Sequence, residues 1–170
     1  VRYFVQPALP ARTVFIFGAG HVAWELAPLC GLIGFRAVVI DDRREFANEQ
    51  RFPGAADIIV PASFAGVFDD LEINPGSFIV IMTRGHEHDK NILSRALQTP
   101  AEYIGMIASS RKRDIIFRSL LEEGFAADDL KRVRSPIGLD IGARTPAEIA
   151  VSITAEMIAV RAGRILTRVP

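Results

Sequence analysis

The residues best suited to chemistry stand at the ends of apolar runs. Gly18-Ala19-Gly20-His21-Val22-Ala23 fits G-x-G-x-x-A and directly follows the run Thr13–Phe17. In that context the first glycine permits a tight turn and the second lets a pyrophosphate approach the backbone. Small Ala23 lets helix and strand pack closely. The helix opening at His21 and Val22 then offers free N–H groups and a partial positive charge to an anion. The alternative is a tight turn that binds nothing. The next apolar run ends in Asp41-Asp42-Arg43-Arg44. Asp41 falls near the spacing of about 20 residues at which an acid meets a ribose hydroxyl. It could instead brace its turn, and the neighbouring arginines weaken any selectivity for a free 2′-hydroxyl.

Three further segments carry polar chemistry. Thr83-Arg84-Gly85-His86-Glu87-His88-Asp89 holds two of the chain's three histidines, and His21 is the third. All three are predicted on loops at one edge of the fold. His86, His88 and Asp89 have ligand types that suit zinc or iron. Two other readings compete: the histidines face an organic ligand, or Asp89 caps the next helix within a plain loop. The ligand-facing reading is carried forward, with no metal site. Ser109-Ser110-Arg111-Lys112 combines hydroxyls, fresh N–H groups and cations at a helix start, an anion cradle. Positive charge there opposes the helix dipole. A second glycine-rich loop runs from Ser135 to Thr145 and includes Gly138 and Asp140. Asp140 is a candidate base or acceptor, although an Asp in such a turn commonly braces it.

These loops need elements to hold them. Short apolar runs without polar alternation predict strands buried on both faces at Thr13–Phe17, Arg36–Ile40, Asp57–Val60, Ser77–Met82 and Glu102–Ile107. Helices are predicted at His21–Ile33, Asp89–Leu97 and Ser110–Glu123, the last capped by Ser109 or Ser110 and closed by Gly124. Thr145-Pro146-Ala147-Glu148 reads as a capping box with proline at the first helical position. The helix that follows is apolar nearly all round, which predicts burial or an interface. Arg161, Arg164 and Arg168 at its end read as a solvated face. Alternating strands and helices imply an α/β fold: a three-layer, Rossmann-like parallel sheet of order 3-2-1-4-5 with helices on both faces. Ligands then sit at the carboxyl edge, where the strand order reverses.

Composition narrows the function classes. The chain has 170 residues, 49% hydrophobic and 24% charged, an ordinary globular profile. Twenty basic residues balance twenty acidic ones, so no nucleic-acid partner is expected. A lone cysteine, Cys30, excludes an internal disulfide and points to a reducing, cytoplasmic setting. No apolar run reaches the ~20 residues of a membrane span. Residues 1–12 read as a leader or a junction to a further N-terminal part. Residues 13–170 read as the nucleotide- or cofactor-binding domain.

Four phrases carry a family likeness: FGAGHVAWELA, VIDDRREFANEQRFPGA, YIGMIASSRKR and SPIGLDIGARTPAEIAVSITAEMIA. Together they resemble the C-terminal Rossmann domain of the XdhC/CoxI family. The likeness runs from about Thr13 to Arg161, and its second and fourth phrases are the specific ones. Family members are accessory proteins of xanthine dehydrogenase and other molybdenum hydroxylases. The resemblance implies transient binding of molybdenum cofactor, as molybdopterin or its dinucleotide. It also implies help with sulfuration, and delivery to an apo-enzyme alongside a sulfurtransferase. It further implies an N-terminal domain. Ala108 stands where the family usually has glycine.

Two other readings stay open. An NAD-dependent oxidoreductase would use the glycine loop and Asp41, with His86 or His88 as acid or base. A ligand-free regulatory or interaction domain would use the apolar last helix, for example in a homodimer.

Overall fold

A computed structural model describes residues 11–164. Six strands form one sheet: β1 (Thr13–Phe17), β2 (Arg36–Ile40), β3 (Asp57–Ile59), β4 (Phe78–Ile81), β5 (Tyr103–Met106) and β6 (Val133–Arg134). Their order is β3-β2-β1-β4-β5-β6, and every neighbouring pair is parallel. The expected order 3-2-1-4-5 is present and gains a sixth strand beside β5. Five helices connect and cover the strands: α1 (His21–Leu32), α2 (His86–Leu97), α3 (Ser110–Glu122), α4 (Ala127–Leu130) and α5 (Pro146–Arg161).

The strands are apolar on both sides because both sides are covered. Along β1, Phe15 and Phe17 enter one core, with Ile79, Ile81, Leu93 and Leu120. Val14 and Ile16 enter the other, with Leu26, Val39, Val80, Ile153 and Met157. So α2 and α3 close one face, and α1 and α5 the other. Aromatic rings brace each layer. Phe17 stacks on Phe68 at 5.1 Å, and Phe78 stacks on Tyr103 at 5.3 Å. Full burial of one such side chain contributes about 1.5–3 kcal/mol.

Local signals place the helix ends. Gly34, Gly124 and Gly163 take positive φ just beyond α1, α3 and α5. Ser109 caps α3 by accepting the Lys112 N–H. Thr145 and Glu148 form the expected capping box ahead of α5. Among the described residues, no helix is long and apolar enough to cross a membrane.

Several boundaries differ from the sequence reading. β3, β4 and β5 are each shorter at one or both ends, and α1 and α3 stop one residue early. α2 opens at His86, three residues before the expected start, because extended Gly85 already turns the chain into the helix. β6, α4 and a 3-10 turn at Val67–Asp70 were not anticipated, being too short to leave a periodic pattern. Arg161 is not merely solvated. It donates to the Ile33 carbonyl at 2.8 Å and lies 4.6 Å from the Phe35 ring centroid, tying α5 to the end of α1. Arg164 is exposed, while Arg168 and most of the expected leader lie outside the described residues.

Candidate functional site

The carboxyl edge of the sheet is a set of loops pinned to one another. Gly18 N–H donates to Ile40 O, and Met82 N–H to Phe17 O, both at 2.8 Å. Gly18 has φ +106°, and a Cβ there would lie 2.5 Å from the Met82 carbonyl oxygen. A side chain would therefore separate the glycine loop from the loop after β4. Gly20 is different. It is the N-cap of α1 with no side-chain capping bond, and a Cβ there meets nothing within 4 Å. The first-turn N–H groups of α1, at His21 and Val22, open beside unfilled space. His21 is exposed and Val22 half-buried.

Asp41 departs from the ribose-facing expectation. It is buried, and both its oxygens are engaged. Oδ2 accepts the Ala19 N–H at 2.8 Å and Arg43 Nη2 at 3.0 Å. Oδ1 accepts the Arg43 N–H at 3.0 Å and Nε at 2.9 Å. Burial alone raises the Asp41 carboxyl. The bonds from the Arg43 side chain, from Ala19 and from the Arg43 backbone outweigh it and hold the group below the usual carboxylate range. Arg43 is correspondingly pushed up, mainly by its bond to Asp41. Asp41 is thus the brace between β2 and the glycine loop. Asp42 lies beside it and accepts from Arg84 at 3.2 Å, linking the loops after β2 and β4.

A second brace lies on the other side of the glycine loop. Asp89 is fully buried. Its Oδ1 accepts Thr83 Oγ1 at 2.5 Å and the Thr83 N–H at 3.1 Å, and its Oδ2 meets the Lys112 ammonium. Asp89 therefore does not cap its helix; the N-cap, Gly85, has no side-chain bond. It ties the end of β4 to α3. His86 and His88 lie on the first turn of α2 rather than in a loop. His86 is exposed, while His88 is half-buried with its ring edge-on to Phe64 at 5.4 Å.

The expected anion cradle at the start of α3 is largely committed elsewhere. Ser109 is the cap, Lys112 pairs with Asp89, and Arg113 pairs with Asp114. Ser110 and Arg111 remain exposed. The loop after β6 reaches the same edge through Ile137 N–H, which donates to Met106 O at 3.2 Å. Gly138 (φ +89°) gives its N–H to buried Glu156 at 2.9 Å, and Tyr103 gives Glu156 its hydroxyl at 2.6 Å. Asp140 is exposed, and no hydrogen bond among the described residues ties it or Gly138 to the glycine loop. Gly18, Gly20, Asp41, Asp42, Arg43, Thr83, Arg84, Asp89 and Lys112 thus come together as one connected edge. Among the described residues, no group of three or more His, Cys, Asp or Glu converges on a point that could hold a metal.

Sequence reasoning passed over Arg51 and Phe46. Arg51 Nη2 donates to the Ala19 carbonyl at 3.3 Å, inside the glycine loop. Phe46 carries Arg43 at 3.8 Å from its centroid and Arg51 at 5.4 Å. The available signal was the unusual RFP phrase, since nothing local marks an arginine 32 positions from its contact.

Comparison with known proteins agrees with this architecture. The chain is 36% identical over 146 residues to YqeB of Escherichia coli strain K12, covering 86% of this chain and 27% of that protein. It is 31% identical over 158 residues to a probable subunit of xanthine dehydrogenase from Bacillus subtilis strain 168, covering 93% and 46%. It is 21% identical over 152 residues to the molybdenum cofactor insertion chaperone PaoD of Escherichia coli strain K12, covering 89% and 41%. The crystal structure of a xanthine dehydrogenase from Bacillus halodurans superposes with a TM-score of 0.79 at 32% identity, over 95% of this chain and 46% of that one. The chain spans less than half the length of each of these relatives. Residues 14–157 match the family profile described as the XdhC Rossmann domain, and the chain belongs to the XdhC family.

Proposed function

We propose that this domain binds molybdenum cofactor in transit, as molybdopterin or its dinucleotide. It assists sulfuration of the cofactor and its insertion into a molybdenum hydroxylase of the xanthine dehydrogenase type. One observation carries the reading: the uncapped start of α1 at Gly20 opens on free space directly across the β1–β4 switch point from Thr83, Arg84 and α2. A phosphate suits the α1 N–H groups. The pterin edge, rich in donors and acceptors, suits Arg84, His86 and His88, with Ser110 and Arg111 beyond them. Family membership supports the same reading, because one relative is a molybdenum cofactor insertion chaperone.

The partners are those that the family resemblance implies. Cys30 is buried and its thiol is pushed up to about 12 by burial, so these residues offer no sulfur carrier. A separate sulfurtransferase supplies the sulfur in this proposal, and a molybdenum hydroxylase apo-enzyme receives the cofactor. The setting is cytoplasmic. Val151 and Ile158 are exposed apolar residues on α5, the helix expected to form a homodimer contact. In this proposal residues 1–12 are a leader or a junction to a further N-terminal part. Asp41 weakens the NAD-dependent alternative, since both its oxygens are already bonded.

The test is thermal unfolding with molybdenum cofactor extract, CDP, CMP, NAD and NADP, followed by calorimetry. A ligand at 100 times its dissociation constant adds about 2.7 kcal/mol. Stabilisation by the cofactor supports the proposal. Stabilisation by NAD alone, with turnover of an alcohol or hydroxy acid, overturns it, as does silence from the full-length protein.

A further inference from the structure

The ion pairs around the glycine loop leave one guanidinium over. Asp41 is matched by Arg43 and Asp42 by Arg84. Arg51 is the third guanidinium of this cluster, and it makes no ion pair among the described residues. It is half-buried, and its Nη2 is held by the Ala19 carbonyl, one residue from the N-cap of α1. Its Nε is buried with no hydrogen-bond partner. Nε is enclosed by the protein, so an incoming anion meets this guanidinium at its Nη groups; a guanidinium without a counter-ion is unfavourable, and an anion there relieves that cost. The faces of Phe46 and Phe52, at 5.4 and 6.0 Å, fix where the guanidinium lies. The α1 start beside it is uncapped and carries no acidic residue in its first turn.

We infer that Arg51 is the charge-reading residue of the glycine loop, and that the group it takes is a phosphate ester or pyrophosphate rather than a ribose diol. In dinucleotide folds a free carboxylate after the second strand selects the ribose diol, whereas an arginine there accepts the ribose 2′-phosphate, the precedent for an arginine reading a phosphate ester at this edge. Here the carboxylate is withdrawn into the Arg43 brace and an arginine stands unpaired. Arg51 forms charge-assisted bonds to phosphate oxygens while the α1 N–H groups hold the opposite side. This inference deepens the cofactor-binding proposal, and it rests on that proposal only for the identity of the whole ligand. The phosphate belongs either to molybdopterin itself or to the pyrophosphate of its dinucleotide.

Calorimetry on the full chain with inorganic pyrophosphate, CDP and molybdopterin tests it, using Arg51→Gln, Arg51→Lys and, as a distant charge control, exposed Arg118→Gln. The expected result is binding of pyrophosphate that Arg51→Gln weakens by about tenfold or more, from loss of a charge-assisted bond. Arg51→Lys retains part of the affinity, because it keeps the charge and loses the fork. Arg118→Gln binds like wild type. Ligand-free melting is measured for each variant, since a purely structural Arg51 would lower it and leave the affinity of the folded protein unchanged. That pattern overturns the inference, as does a wild-type chain that ignores pyrophosphate. Matching losses for molybdopterin and pyrophosphate assign the phosphate to molybdopterin, whereas a loss confined to CDP and pyrophosphate assigns it to the dinucleotide. If Arg51 governs pyrophosphate while no form of the cofactor binds, the inference stands and the molybdenum reading falls.

Discussion

The Lys112 ammonium sits on the fully buried carboxylate of Asp89, so one ion pair joins the first turn of α3 to the first turn of α2. Asp89 also holds both the hydroxyl and the N–H of Thr83. It is the common support of two loops at the proposed site. Asp89→Asn keeps the shape but leaves Lys112 facing an amide. Removing one partner of a buried pair costs roughly 3–5 kcal/mol. A loss of about 3 kcal/mol is expected by urea unfolding, because Lys112 retains some solvent contact. The double variant Asp89→Leu with Lys112→Met should lose less than the sum of the single variants Asp89→Leu and Lys112→Met. Strict additivity would mean that the pair is not coupled.

Asp41 predicts a pH dependence. Its folded carboxyl is held below the usual value of ~3.9. The stability it contributes is therefore complete above the unfolded value and lost as pH falls through the folded one. Stability should decline below about pH 4 as Asp41 protonates and the Arg43 and Ala19 bonds weaken. Asp41→Asn should flatten that part of the acid limb and lower stability at neutral pH. An acid-unfolding series of the two proteins checks this. An unchanged slope would assign the acid limb to other carboxylates.

The central strands were legible because each is buried on both faces and reads as an unbroken apolar run. The capping box at Thr145 was legible because both partners lie within four residues. The start of α2 was not legible, for a physical reason. The apolar helical pattern begins at Asp89, but extended Gly85 starts the helix three residues earlier and leaves the Asp89 carboxylate free to reach back to Thr83. Asp41 matched the spacing of a ribose acid, yet spacing cannot reveal that Arg43 folds back on it. Arg51 was illegible for the same reason, since its contact with Ala19 exists only in three dimensions.

Cys30 should be inert in the native protein. It is buried in the α1 layer, and burial pushes its thiol up to about 12. The thiolate is the reactive species, so an alkylating reagent at pH 8 should leave it unmodified over hours. Addition of urea beyond the unfolding midpoint should expose it at once. Mass spectrometry distinguishes the two states. Rapid native labelling would mean that α1 opens locally from the sheet at a small free-energy cost.

Gly18 and Gly20 should fail in different ways. Ala at Gly18 must take φ +106° and place its Cβ 2.5 Å from the Met82 carbonyl oxygen, against the Met82–Thr83 backbone. Positive φ alone costs about 1–3 kcal/mol, so Gly18→Ala should lose at least ~2 kcal/mol of stability and loosen the β1–β4 junction. Gly20 has an extended backbone that Ala tolerates, and nothing lies within 4 Å of the added methyl. Gly20→Ala should fold, losing about 1 kcal/mol as a poorer N-cap. Its methyl instead enters the space that the phosphate would fill, so ligand binding should drop far more than stability does. Paired melting and pyrophosphate calorimetry on both variants separate the two effects. If Gly20→Ala binds as wild type does, the open space at the start of α1 is not where the anion sits.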